Sequence, residues 1–202
     1  MSWWSMGRKE IMIEFIGMPK IARLSREIII SEKIDGTNAL VYITDDLSPI
    51  TLQSGRIVPF LCGSKSRWIF PENDNHGFAR WAYEHTEELL KLGKGWHRGE
   101  WWGQGIQRNY GLLEKRFSLF NTSKWNDDTI RPKCCHVVPT LFTGMFDLKA
   151  IEKCLEDLKI FGSVAEIGFT KPEGVVIYHT AGKIYFKKTI ENDETPKSVK
   201  DE

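Results

Sequence analysis

Along most of the chain, apolar and polar residues alternate with the two-residue period of β-strands. The stretch Glu27–Lys33 (E-I-I-I-S-E-K) is rich in β-branched residues and runs into Asp35-Gly36, a turn signature. Residues 38–44 resume the alternation and stop at Asp45-Asp46, so the two segments are expected to form a hairpin-like pair around Gly36. Further strands are predicted over 57–62, 97–102, 117–121, 136–142, 174–179 and 183–188. The last two flank Thr180-Ala181-Gly182 as a hairpin. Helical periodicity is rarer. Phe78, Trp81, Ala82, Leu89 and Leu92 predict one helix over 78–92 with Gly93 as its stop. Asp147 is placed to N-cap a second helix, whose Leu148, Ile151, Leu155 and Leu158 form an apolar stripe closed by Gly162. The expected class is a β-rich α+β fold without internal repeats, and the polar stretch after Ile190, which contains Pro196, is expected to fray.

Composition narrows this little. The 202 residues suffice for one sizeable core or two small lobes sharing a cleft, and 41% hydrophobic with 27% charged residues reads as a soluble globular chain. No apolar run reaches the length of a membrane helix, and Met1-Ser2-Trp3-Trp4 lacks signal-peptide character, so a cytoplasmic protein without membrane association is expected. The four cysteines (Cys62, Cys134, Cys135, Cys154) contain no C-x-x-C and read as reduced structural thiols rather than a zinc site. The net charge of +1 is unremarkable, yet charge is segregated: six basic residues against three acidic ones lie between Arg108 and Lys133.

Five constellations could carry chemistry. In Glu32-Lys33-Ile34-Asp35-Gly36-Thr37-Asn38, strand alternation puts Lys33 and Asp35 on one face, with Gly36 permitting a close turn beside them. A lysine fixed at a strand end suits a nucleophile, although K-x-D-G alone equally describes an exposed lysine beside a turn. Glu100 lies among large aromatics in R-G-E-W-W-G-Q-G-I-Q, where two glycines allow close backbone approach. Phe117-Ser118-Leu119-Phe120-Asn121 puts Phe117 and Phe120 on opposite faces, which allows one for the core and one for a pocket, with core packing of both as the plainer alternative. Glu173 enters the strand that starts at Gly174, and Phe186-Lys187-Lys188 ends the last one. No G-x-x-x-x-G-K-[ST] is present, which excludes a P-loop kinase.

In order and spacing, Lys33, Glu100, Phe120, Glu173 and Lys187/Lys188 resemble motifs I, III, IIIa, IV and V of the covalent nucleotidyltransferases. The likeness tightens to ATP-dependent RNA ligases of the phage RNA ligase 2 and RNA-editing type. There G-E-x-x-G-x-G-I-Q-K precedes a phenylalanine twenty residues beyond the glutamate, as Glu100 and Phe120 are spaced here. Arg67, in Ser66-Arg67-Trp68, resembles that family's Ser-Arg element. The longer spacing from Lys33 leaves Arg56 as a rival for the phosphate contact. Motif V reads Phe186-Lys187-Lys188 instead of K-x-K, which leaves open which lysine touches phosphate.

The resemblance implies an α+β nucleotidyltransferase (ATP-grasp-like) fold, mainly antiparallel sheets with flanking helices around a nucleotide cleft. It implies an adenylyltransferase domain over residues 1–190 and a polar tail over 191–202, with no separate C-terminal or OB domain. The implied activity joins 3′-hydroxyl and 5′-phosphate RNA ends through lysyl-AMP on Lys33, using ATP and Mg²⁺, with Mn²⁺ able to substitute. A DNA or mixed RNA–DNA nick ligase, or a non-catalytic RNA-end-binding protein, remains the alternative. Glu100 would hold the ribose hydroxyls, Phe120 would stack on adenine, Glu173 would act at the metal through water, and Asp35 would orient the adenylate. Arg67 would grip a phosphate, of the leaving pyrophosphate or of the RNA 5′ end, and Glu32, Asn38, Lys187 and Lys188 would complete the nucleotide site. Attack on phosphorus needs a neutral lysine, which nearby cations (Lys187 or Lys188, and bound metal) would favour. The implied partner is RNA, as a nicked duplex or an RNA–DNA hybrid, and the protein is expected to be a monomer.

Overall fold

The computed structural model describes residues 14–191 and 193. Among the described residues twelve strands are interspersed with a few helices. The strands are β1 (Glu27–Lys33), β2 (Thr37–Ile43), β3 (Ile50–Thr51), β4 (Ile57–Val58), β5 (Leu61–Gly63), β6 (Trp68–Ile69), β7 (Gly95–Gly103), β8 (Lys115–Leu119), β9 (Cys135–Val137), β10 (Thr140–Met145), β11 (Gly174–His179) and β12 (Ile184–Thr189). The helices are α1 (Phe78–Glu84), α2 (Thr86–Leu89), α3 (Thr122–Trp125) and α4 (Leu148–Phe161). One sheet has the order β10-β1-β11-β12, a second β6-β5-β2-β7-β8-β9, and β3 pairs with β4 alone. All pairings are antiparallel except β8 with β9. The α+β reading therefore holds, with mainly antiparallel sheets.

The expected hairpin around Gly36 does not form: β1 joins the first sheet and β2 the second. The chain crosses between sheets at residues 34–36, with Ile34 buried beside Trp102, Tyr110 and Val138. Gly36 is needed here for close approach, since a Cβ would lie 2.5 Å from the Trp101 carbonyl oxygen. A second crossing divides the strand expected over 136–142 into β9 and β10. Pro139 has no N–H to continue a ladder, and its carbonyl accepts from the Glu32 N–H at 2.9 Å. Pro59 similarly separates β4 from β5 within the strand expected over 57–62.

The helix expected over 78–92 breaks at His85. The Thr86 hydroxyl donates to the Tyr83 carbonyl at 2.7 Å, and the His85 ring donates from Nδ1 to the Trp81 carbonyl at 2.8 Å. Helix α4 follows its sequence signals: the Asp147 carboxylate accepts from the Lys149 N–H, and Gly162 ends it with φ 86°. Its stripe buries Ile151, Leu155 and Leu158 against Ile28, Ile30, Val175 and Ile177 of the first sheet. Leu148, expected in that stripe, is exposed. The second sheet packs one face on α1 and α2 through residues such as Val41, Trp101, Phe117, Phe78 and Leu89. Both sheets thus have one face covered by helices, leaving the other faces for a cleft. All four cysteines are free thiols. Among the described residues no helix is long and apolar enough to cross a membrane. The expected tail lies outside the described residues except for Glu191 and Asp193, as does the chain start.

Candidate active site

Register decides which side chains enter the cleft. In β1, Ile28 and Ile30 face α4, so Ile29, Ser31 and Lys33 face the other way. Val176 lies opposite Ser31, and Lys187 opposite Val176, so Lys187 shares the cleft face. Lys188 pairs with Val175, which is buried against α4, and is turned to the far side. On the second sheet, Asn38 lies opposite Glu100, and Arg98 and Trp96 follow on the same face of β7. Together these walls enclose a cavity of about 650 Å³ lined by Lys33, Asn38, Glu100, Phe120 and Lys187 among others.

At its base, Lys33 Nζ donates to Glu173 Oε2 at 2.5 Å. The Glu173 side chain is 2% exposed and that of Lys33 22%. Glu100 accepts from the Gly36 N–H at 3.1 Å and from Asn38 Nδ2 at 3.2 Å. Burial pushes the Glu100 carboxyl up to about 7, while Lys33, Asn38 and the Gly36 N–H each favour its ionised form. Nearby cations are expected to favour the neutral amine; Lys187 lines the same cavity, while the direct hydrogen-bond partner of Lys33 is a carboxylate. The amine is held by Glu173 and lies in the field of Glu100. Phe120 packs against Ile34, Trp102 and Val138 and reaches the cavity from just beyond the end of β8. The strand expected over 117–121 ends at Leu119 because Asn121 caps α3, its side chain accepting from the Lys124 N–H.

Several expected residues are placed elsewhere. The Glu32 carboxylate faces away from Lys33 and accepts from Ser163 Oγ (2.6 Å) and the Val164 and Ala165 N–H groups (both 2.8 Å). It anchors the loop after α4, and Glu32 also borders the cavity. Burial raises its carboxyl above the usual range. Asp35 does not line the cavity: Arg108 Nε donates to it at 3.0 Å, and Arg108 Nη1 donates to the Lys171 carbonyl at 2.9 Å. Asp35 therefore ties the inter-sheet crossing to the segment that carries Glu173. Arg56 pairs with Glu72 at 2.6 Å beside a separate groove. Arg67 donates to the Asn73 carbonyl at 2.9 Å, also outside the cavity.

Sequence reasoning passed over Trp96, Arg98, Tyr178 and Tyr185, all of which line the cavity. Parity along β7 (96, 98, 100), β11 (176, 178) and β12 (185, 187) carried that information, since alternate strand residues share a face. No group of three or more His, Cys, Asp or Glu side chains able to hold a metal occurs among the described residues.

Comparison with curated proteins finds no match. Among solved structures the fold is similar to Naegleria gruberi RNA ligase. A mutant of that protein with ATP and Mn aligns at TM-score 0.55 and 21% identity, over 83% of this chain and 51% of the other. Another mutant, with AMP and Mn, aligns at TM-score 0.56 and 20% identity, over 81% and 49%. The chain thus spans about half the length of those ligase chains. The family model described as RNA ligase matches residues 26–194, nearly the whole described chain, and the protein belongs to the RNA ligase family.

Proposed function

We propose that this chain is the adenylyl-transferring part of an ATP-dependent RNA ligase that joins 3′-hydroxyl and 5′-phosphate ends through lysyl-AMP on Lys33. One observation carries the reading: a strand-end lysine held 2.5 Å from a buried glutamate opens onto a cavity of about 650 Å³ that also holds Glu100, Phe120 and Lys187. That volume suits a nucleotide. The N. gruberi ligase, similar in fold, is seen with ATP or AMP and Mn, which supports a nucleotide as the ligand.

Lys33 Nζ attacks the α-phosphorus of ATP as the neutral amine, the bond to the β-phosphate oxygen breaks, and pyrophosphate leaves. The proton that Nζ shares with Glu173 must move first, and Glu173 is the nearest base to receive it. Glu100 accepts from the ribose hydroxyls, for which it must be ionised. Phe120 stacks on adenine, Asn38 borders the sugar, and Lys187 offsets charge on the α-phosphate. Asp35, through Arg108, keeps Glu173 in place, and Glu32 does the same for the loop at 163–165. AMP then passes from Nζ to the RNA 5′-phosphate, and a 3′-hydroxyl displaces it, forming the phosphodiester bond.

Two carboxylates converging near Lys33 are hard oxygen donors of the kind that hold Mg²⁺ or Mn²⁺ together with substrate phosphates. Glu173 would hold such an ion through water. Bound there, it would neutralise charge on the phosphates and the leaving pyrophosphate. Single RNA strands and nicks in RNA, DNA and RNA–DNA duplexes, each offered with ATP or GTP, test the proposal. Sealing of RNA strands with ATP is expected, and sealing confined to DNA, or none at all, would refute it.

A further inference from the structure

The cleft face of the second sheet does not end at the cavity. Trp96 lies one strand position beyond Arg98 on that face and remains 54% exposed, and Trp68 on β6 is 38% exposed. Their rings stack 5.7 Å apart at 25°, with Tyr42 4.7 Å from Trp96 on the intervening strand β2. The Arg98 guanidinium lies 5.4 Å over the Trp96 ring. Gly63 gives the Trp68 ring its room, since a Cβ there would stand 3.3 Å from it. The turn that leads into Trp68, Ser64-Lys65-Ser66-Arg67, holds two cations and no acid, and is closed by the Ser64 N–H donating to the Arg67 carbonyl. From β7 to β6 this surface spans three strand spacings, about 14 Å. An aromatic cluster serving only stability would be turned to α1 and α2, where the sheet's other face is already filled by Val41, Trp101 and Phe117. Open indole surface beside cations, continuous with the cavity through Trp96 and Arg98, matches the stacking platforms that bind single-stranded nucleic acid.

Building on the RNA ligase reading, we propose that Trp68, Trp96 and Arg98 form a stacking platform for unpaired bases of the RNA strand leaving the cavity, with Lys65 and Arg67 meeting its phosphates. Recognition by ring faces is tolerant of sequence, so the platform selects single-stranded RNA by form.

The probe is a 5′-phosphorylated twelve-nucleotide oligo(U) carrying fluorescein at its 3′ end, titrated by anisotropy at fixed salt. Trp68→Ala and Trp96→Ala should each raise Kd about 5- to 140-fold, the loss of one stacked base. Trp96→Phe should recover most of that loss. Lys65→Ala with Arg67→Ala should flatten the dependence of log K on log salt by about 1.4. In the wild-type protein the indole N–H signals of Trp68 and Trp96 should shift on adding the oligonucleotide while those of Trp101 and Trp102 stay. This readout needs no variant to fold. Absence of binding, as expected if the patch docks a protein instead, or affinity unchanged in Trp68→Ala/Trp96→Ala with unshifted indole signals, would overturn the platform. Trp-dependent binding in a protein that forms no AMP adduct would sink the ligase reading and leave the platform standing. An adduct with Trp-independent binding would do the reverse.

Discussion

Replacing Glu100 by glutamine should make the protein more stable and less active, and the gain should depend on pH. Glu100 is 8% exposed, and burial raises its carboxyl from 4.5 to about 7. Below about 4.5 the group is protonated in both folded and unfolded chains and contributes no pH dependence. Between 4.5 and about 7 the unfolded chain releases the proton while the folded one keeps it, so stability falls as pH rises. The interval of about 2.5 pH units corresponds to roughly 3 kcal/mol, fully lost above pH 7. Glutamine avoids that loss. Its Oε1 can accept from the Gly36 N–H, and its amide can donate to Asn38 once the Asn38 amide turns its oxygen inward. At pH 8 Glu100→Gln should melt about 6–12 °C above wild type, given about 2–4 °C per kcal/mol for a chain of this size. At pH 4.5 the two should melt within about 2 °C. AMP-adduct formation should nevertheless fall at least about 100-fold, because the amide cannot accept from both ribose hydroxyls. Thermal melts from pH 4.5 to 8.5 decide the matter. A stability difference independent of pH would refute the assignment of a buried, raised carboxyl.

Lys187→Ala should slow adduct formation by at least about 30-fold, whereas Lys188→Ala, on the opposite face of β12, should stay within about threefold; single-turnover assays with labelled ATP compare them. Glu173→Ala should cost at least about 100-fold in the same assay, and a loss below about threefold would reject its role at Lys33. Gly36→Ala should destabilise by about 3 kcal/mol in urea titrations, because the new Cβ would meet the Trp101 carbonyl oxygen at 2.5 Å and Glu100 Cγ at 3.0 Å.

Local features were legible wherever one signal sufficed. Strand β1 follows its β-branched run, β11 and β12 form the expected hairpin, and Asp147 and Gly162 bound α4 as their types dictate. Lys33, Glu100 and Phe120 meet around one cavity although 87 residues separate the first from the last. What failed depended on non-local pairing. Asp35-Gly36 signals that the chain bends but not which sheet it enters next, so the same signal serves a crossing as readily as a hairpin. Proline at 59 and 139 broke runs whose apolar pattern was continuous. Lys187 and Lys188 differ only by register against β11, which neither residue encodes. Glu32 carries the same charge as Glu173, but parity turns it toward Ser163 and away from the nucleophile. Arg56 and Arg67 carry the same charge, but each has a local partner outside the cavity, and Arg67 lies instead in the turn beside Trp68.

The central claim is that Lys33 carries AMP. Incubating the protein with α-labelled ATP and Mg²⁺, then mapping the modified peptide by mass spectrometry, tests it directly. One AMP on Lys33, absent from Lys33→Ala, is the predicted result. A wild-type protein that stays unlabelled, or one labelled at another residue, would contradict it.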